Sequence, residues 1–306
     1  MKTVYAQTND GLQHLLDKLA PFDVLVLPEG AFRQKLEIKV PDVTVVGAGA
    51  DKTVIVYGDY AKMTDLQGNE ITTFKTQTVA VCADGVTLKN LTVCNDAEQP
   101  EIKGQEVALY VAADRFTATD CAFVSTQDTL FCAPLPDDLI LRYDGFLPDH
   151  LRHREGQCRQ LFKNCVISGT VDFIFGCACA FFDECEIVSL SDVRQCGYVA
   201  APAHSLKQTL GFVFYKCRFT CDKGVEDNSI YLARPWRDFG LCHFVRCEYG
   251  KHLNACGFDK WNDTHRDKTA RFYEFPTVTS RVAWRKTLTA EQADELIAAC
   301  KRDFKF

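Results

Sequence analysis

No stretch of this 306-residue chain approaches 18 uninterrupted apolar residues, so no transmembrane helix is expected. Basic charge is also short. Lys and Arg total 35 against 41 for Asp and Glu, a net charge of -6. That balance argues against a nucleic-acid binder, whose affinity comes largely from a basic face. The opening MKTVYAQTNDGLQHLL contains one Lys and no continuous apolar segment, so it does not read as a secretory signal. Paired CxxC knuckles are missing; the CxC of Cys177 and Cys179 and the CxxxC of Cys217 and Cys221 do not suit zinc. There is no GxSxG elbow, no HExxH and no phosphate-binding loop, which removes three common catalytic frameworks.

What is present is an ordinary folded composition, 47% hydrophobic and 25% charged, with sixteen cysteines. Without an export signal, these read as free thiols used as small buried apolar groups in a reducing compartment, and a cytoplasmic location is expected. Near the N-terminus, Leu12, Leu15, Leu16 and Leu19 recur at helical spacing before Pro21, with Asp10 placed to cap the helix. Near the C-terminus, Thr289 and Gln292 form a capping box ahead of Ala293, Leu296 and Ile297. Between them lie short apolar runs of period 2, such as DVLVLPEG, VTVVGAG and TVIVYG, broken by Gly, Asp, Asn and Pro.

A degenerate repeat runs through these strands. An apolar stretch, a polar residue, a small apolar residue and a second strand recur in LKNLTV, ATDCAFV, FKNCVIS, FDECEIV, FYKCRFT and FVRCEYG. The apolar residues after the polar step are Leu91, Cys121, Cys165, Cys185, Cys217 and Cys247, at intervals of 30, 44, 20, 32 and 30. The shortest interval suits one coil of a β-solenoid, and the longer ones suit coils with inserted loops. A β-sandwich would not require the same polar–Cys step each time. The expectation is an all-β, right-handed parallel β-helix with an N-terminal capping helix and a C-terminal helix. No linker divides it, so residues 1–306 read as one domain.

Four segments place amides, carboxylates and an arginine within apolar strand context: GQEVALYV (104–111), STQDTLF (125–131), GTVDFIFG (169–176) and YLARPW (231–236). Asp172 lies between Val171 and Phe173, where a carboxylate is costly unless partnered, and Arg234 is a candidate partner. On pattern alone, a buried ion pair with Gln105 and Gln127 in a polar ladder is an equal reading. His150 and His153 sit in a charged, proline-containing stretch and read as a solvated loop.

These segments resemble the pectin methylesterases, or pectinesterases, a family of carbohydrate esterases; the match suggests a bacterial intracellular type. QDTL (127–130) and GTVDFIFG (169–176) stand letter for letter as the family's signatures. GQEVALYV is similar to its Q-A-V-A-L segment and LARPW to its L-G-R-P-W. PEGAFRQKLEI (28–38) resembles its G-x-Y-x-E-K-V-x-I stretch, and GFDKWND (257–263) its G-W-x-x-W-N element. The resemblance implies a right-handed parallel β-helix that removes methyl groups from the galacturonate units of pectin or methylated oligogalacturonides, without a metal or other cofactor. It implies Asp172 as nucleophile, Asp128 as general acid and then base, Gln105 and Gln127 as oxyanion donors, and Arg234 as the cation that holds Asp172. Trp236, Phe175 and Trp261 would form the wall on which a sugar packs. Arg234 is expected to pull the Asp172 pKa down, while apolar surroundings and a nearby negative charge push Asp128 up.

Several positions depart from the family pattern. Thr126 stands where an aromatic is frequent, Glu106 where Ala is usual, Ala233 for Gly, Phe258 for Trp and Gln34 for Glu. The largest departure is an insertion at 133–156, which follows Gln127-Asp128 and is expected to overhang the cleft. Its Arg142, Arg152 and Arg154 would pair with galacturonate carboxylates and favour short fragments over polymer. The competing functions are a β-helix pectate lyase, which would use Ca²⁺ held by several acids, and a non-catalytic pectin-binding β-helix. Oligomeric state is left open.

Overall fold

In the computed structural model, residues 1–98, 104–135, 137–142 and 158–306 are described. Nearly all strands are three to six residues long, and every pairing between them is parallel. Among the described residues they form three sheets of eleven, eight and seven strands. The chain visits these in rotation. Phe116–Thr119 lies in the eleven-stranded sheet, Ala122–Val124 in the eight-stranded and Leu130–Cys132 in the seven-stranded; Arg159–Lys163 then returns to the first. Each circuit is one coil of a parallel β-helix.

The polar–Cys repeat is the corner between the first two sheets. Asn90, Asp120, Asn164, Glu184, Lys216 and Arg246 all have φ between 51° and 56°. One left-handed residue turns the chain sharply enough for the next strand to begin two residues later. Asn and Asp tolerate that conformation, whereas for other residues it costs about 1–2 kcal/mol. The corner residue points its polar side chain outward, and the following side chain enters the core. Leu91, Cys121, Cys165, Cys185 and Cys217 are buried there, with Cys247 half-buried. Each thiol from Cys165 onward donates to a carbonyl one coil earlier: Cys165 to Ala118 at 3.5 Å, Cys185 to Phe162 at 3.3 Å, Cys217 to Phe182 at 3.3 Å and Cys247 to Phe214 at 3.4 Å. Beside this ladder, Phe162, Phe182, Phe214 and Phe244 stack face to face at centroid separations of 5.0, 4.6 and 4.9 Å. The two columns fill the interior layer by layer.

All sixteen cysteines are free. Burial pushes the Cys185 and Cys217 thiols well above their ordinary range, so they are poor nucleophiles and pack as apolar groups. Titration of the protein with a thiol reagent after denaturation without reductant should find nearly sixteen reactive thiols. Several protected pairs would contradict the reading of a reducing compartment.

The first helix, α1 (Leu12–Leu16), is shorter than its leucine pattern, though Leu19 beyond it is still buried. Asp10 does not cap it. Its carboxylate accepts instead from the Gln7 backbone N–H, and the free Leu12 N–H donates to Gln34 Oε1 at 2.7 Å. Gln34 Nε2 donates in turn to the Asp10 carbonyl at 2.8 Å. A side chain from the first coil therefore supplies the cap that a local reading assigned to Asp10. Gln13 of α1 meets both the N–H and the carbonyl of Glu37, at 2.8 and 3.0 Å, in the end strand Leu36–Ile38. Its amide thus occupies the edge that another coil would otherwise pair with. The C-terminal helix, Ala290–Asp303, begins with the Thr289–Gln292 capping box. It lays Ala293, Ile297 and Cys300 against Phe181, Val213 and Val245 on the outer face of the eleven-stranded sheet. No described helix is long and apolar enough to cross a membrane.

Of the 133–156 insertion, only its first residues and a short helix, Asp137–Arg142, are described. Leu135 and Leu139 pack into the cluster that holds Phe131 and Phe175. The loop's proposed cover over the cleft, with Arg152 and Arg154, and the solvated reading of His150 and His153 lie outside the described residues.

Candidate active site

The seven-stranded sheet positions the site. Ala80, Tyr110, Phe131, Phe175 and Ala201 stand in register on successive strands, while their neighbours Leu109, Leu130, Ile174 and Ala200 face the core. The outward row belongs to a second apolar cluster together with Phe74, with Trp236 and Trp261 packed against it. Phe131 and Phe175 stack at 4.6 Å, and Trp236 meets Phe175 edge-on at 5.8 Å.

Strict alternation in VDFIF would put Asp172 and Ile174 on one face and Phe173 with Phe175 on the other. A bulge prevents that. Val171 pairs with Tyr198 and Ile174 with Ala200, so two residues oppose one. Phe173 and Ile174 both enter the core, and Asp172 turns outward to join Phe175 at the cavity. Asp172 takes φ 51° to do so, and Asp128 takes φ 66° on the preceding coil. The two carboxylates are thus set by irregular backbone, a feature that clusters at functional sites. Gly169 makes the bulge possible: a Cβ there would lie 2.3 Å from Phe173 Cβ and 2.7 Å from the Thr126 carbonyl oxygen.

A cavity of about 250 Å³ lies above this face, lined by Gln105, Gln127, Asp128, Asp172, Phe175, Arg234, Trp236 and Trp261, with Thr73, Phe74 and Ala201. All eight residues singled out in the sequence therefore meet in one place, although 131 positions separate Gln105 from Trp236. Arg234 Nε and Nη2 donate to the two Asp172 carboxylate oxygens at 2.8 and 2.6 Å. The guanidinium itself lies between two rings, 3.8 Å from the Tyr198 centroid and 4.0 Å from that of Trp261. One face of Trp261 is thus taken by Arg234. Tyr198 carried no sequence signal; it comes from the strand Gly197–Pro202 on the coil between the two partners.

Burial pushes Asp128 well above the ordinary carboxylate range, the charge of Asp172 adds to it, and Arg234, Gln127 and Arg194 oppose it. Asp172 is also raised, contrary to the expectation from its arginine. Its burial outweighs the opposing hydrogen bonds and charge of Arg234. The order of the pair is as expected, because Asp172 has a bidentate cation and Asp128 has none. Glu106 is wholly buried, and neither it nor Thr126 lines the cavity. Arg194, from the turn after Ser189, went unnoticed in the sequence because DVRQ is no motif; its Nη1 donates to Gln127 Oε1 at 2.9 Å. Among the described residues, no group of three or more His, Cys, Asp or Glu is arranged to hold a metal ion.

Such an arrangement offers a carboxylate paired with a cation, a second carboxyl group pushed further toward its protonated form, and two amides beside them. The pectinesterase family model matches residues 2–135 and 151–300. The chain belongs to the pectinesterase family. A putative pectinesterase/pectinesterase inhibitor of Arabidopsis thaliana is 31% identical over 260 residues, which is 82% of this chain and 33% of that protein. The chain spans less than half the length of several other plant pectinesterases that it matches. Among solved structures, the pectin methylesterase of Yersinia enterocolitica is 27% identical with a TM-score of 0.73, over 90% of this chain and 91% of that one. A pectin methylesterase in complex with a hexasaccharide shares the fold, with a TM-score of 0.76 at 22% identity over 96% and 94% of the two chains.

Proposed function

We propose that this pectinesterase-family chain hydrolyses methyl esters of galacturonate units in pectin fragments, releasing methanol. One observation carries the reading: Asp172, in a bidentate pair with Arg234, shares a cavity with the buried Asp128 and the amides of Gln105 and Gln127. Asp172 attacks the ester carbonyl carbon. Gln105 and Gln127 donate to the oxygen as it becomes negative. The C–O bond to the methoxy group breaks, and Asp128 gives its proton to the departing methanol. The resulting anhydride between Asp172 and galacturonate is cleaved by water, which Asp128, now ionised, deprotonates. Asp172 leaves as a carboxylate, and the product is the free acid.

Arg234 orients Asp172 and stabilises its charge, and Tyr198 and Trp261 limit the guanidinium's motion. Phe175, Trp236 and the exposed part of Trp261 provide apolar surface for a sugar ring. The related enzyme bound to a hexasaccharide supports an oligogalacturonide as substrate. No step requires a metal ion or other cofactor. The sixteen free thiols support a cytoplasmic setting, where short imported fragments are the available substrate. This reading carries with it a single unit over residues 1–306 and a right-handed coil, the hand that parallel crossovers almost always take.

Methanol release from methylated oligogalacturonides tests it, alongside a panel of other alkyl esters. Activity should favour the galacturonate methyl ester and survive exhaustive dialysis against EDTA. Loss on chelation with recovery on Ca²⁺, together with ultraviolet-absorbing unsaturated products, would replace the esterase with a lyase.

A further inference from the structure

Resting on the esterase reading, we infer that Arg194 and Asp192 are positioning residues that fix which end of the Gln127 amide faces the reacting ester. A glutamine amide can turn over at little cost, exchanging its carbonyl for its NH₂. The two orientations have opposite chemistry here. With Nε2 toward the cavity, Gln127 offers donors to the developing oxyanion. With Oε1 there, it repels the developing oxyanion and, once methanol has taken the proton, the ionised Asp128. Arg194 decides between them, because an arginine donates and never accepts. Its Nη1 takes Oε1 at 2.9 Å, which turns Nε2 away from the arginine and toward Asp128 and the cavity.

Arg194 is itself held in place by its own turn. The Asp192 carboxylate accepts from the Arg194 backbone N–H at 2.8 Å, from Nε at 2.6 Å and from Nη2 at 2.5 Å. The Gln195 N–H donates to the Asp192 carbonyl at 3.0 Å and closes the turn. Three bonds to one carboxylate fix the plane of the guanidinium and leave Nη1 as the arm that reaches Gln127. Asp192 is well shielded, with 14% of its side chain exposed, while 46% of the Arg194 side chain is open to solvent. That exposure argues against a packing role for the arginine and makes its replacement structurally tolerable. The contact spans 67 residues, bringing a turn beyond the Asp172 strand back to the coil that carries Asp128.

A double-mutant cycle tests this on methylated trigalacturonate, with the melting temperature of each variant checked against the parent. Gln127→Ala should lower kcat by about 10²–10³-fold, the usual loss for one oxyanion donor. Arg194→Met should lower kcat by roughly 10-fold or more with little change in KM, because a disoriented donor is missed mainly in the transition state. Arg194→Lys, which still donates to Oε1, should recover most of that loss. In the Gln127→Ala background, Arg194→Met should have almost no further effect, so the two changes should be strongly non-additive. Additive effects, or a rise in KM with kcat unchanged in both backgrounds, would overturn the inference and make Arg194 a direct substrate contact. Full kcat in Gln127→Ala would remove the amide from the esterase reading itself. A fall in Gln127→Ala with an unchanged Arg194→Met would reject only the positioning role.

Discussion

Asp172→Asn should lower methanol release by about 10⁴–10⁶-fold, the scale on which removal of a covalent nucleophile is felt. The amide keeps the volume of the side chain but cannot attack an ester. Folding should be retained. The Asp172–Arg234 pair is buried, with 12% and 15% of the side chains exposed, and breaking one partner of such a pair is ordinarily costly. Here the guanidinium keeps its place between Tyr198 and Trp261, and the Asn carbonyl can still accept one of its hydrogen bonds. The expected variant is therefore a folded protein with an intact cavity and almost no turnover. Substrate binding, measured by calorimetry with a methylated oligogalacturonide, should persist. Turnover within 10-fold of the parent would remove Asp172 from the chemistry.

Asp128→Asn should cost about 10²–10⁴-fold, the usual range for a lost general acid or base. Its signature differs from that of Asp172→Asn. Trifluoroethanol is much more acidic than methanol and needs less help from a proton donor to leave, so a large part of the acylation rate should return on that ester. Deacylation still lacks its base, so a burst of alcohol followed by slow turnover is expected. The kcat/KM profile of the parent should be bell-shaped, because attack needs Asp172 ionised and departure of methanol needs Asp128 protonated. The limbs report the pair jointly, and the alkaline one should be shallower for acylation by the trifluoroethyl ester.

The same substitution should affect stability in the opposite direction. Asp128 has a folded-state value raised above its unfolded one. The native state therefore holds its proton more tightly. That contribution is complete below the unfolded value and is lost as pH rises through the folded one. At neutral pH the unfolded carboxyl is ionised while burial opposes ionisation of the folded one, so Asp128 weakens the fold, and Asn removes the burden. The variant should melt above the parent at pH 7 to 8, with the difference shrinking as the pH falls toward 4, where thermal scans of both proteins can be compared.

The coil architecture was legible because one local event recurs at each circuit. A left-handed corner followed by an inward small residue leaves a polar–Cys signature, as at Asn164–Cys165 and Lys216–Cys217. The eight site residues were legible because signature segments carried them, not because their spacing revealed a common cavity. What escaped the sequence depends on contacts between coils. The bulge at Asp172 changes the face of Phe173 and Ile174, and simple alternation gives no hint of it. Gln34 supplies the α1 cap from 22 residues away, displacing a local candidate that looked adequate. Arg194 and Tyr198 reach the site from a turn and a strand on the coil after Asp172, and neither lies in a patterned segment. The raised pKa of Asp172 is not legible in the sequence, because its arginine is visible there and the extent of its burial is not.

A covalent acyl-enzyme on Asp172 can be read by mass. Asp128→Asn is mixed with the trifluoroethyl ester of an oligogalacturonide, quenched in acid during the burst, and its intact mass and proteolytic peptides are determined. The expected result is an adduct equal to the substrate minus trifluoroethanol, located on the peptide that contains residues 169–176. Alcohol release with no adduct at any time point, or an adduct on a residue other than Asp172, would contradict it.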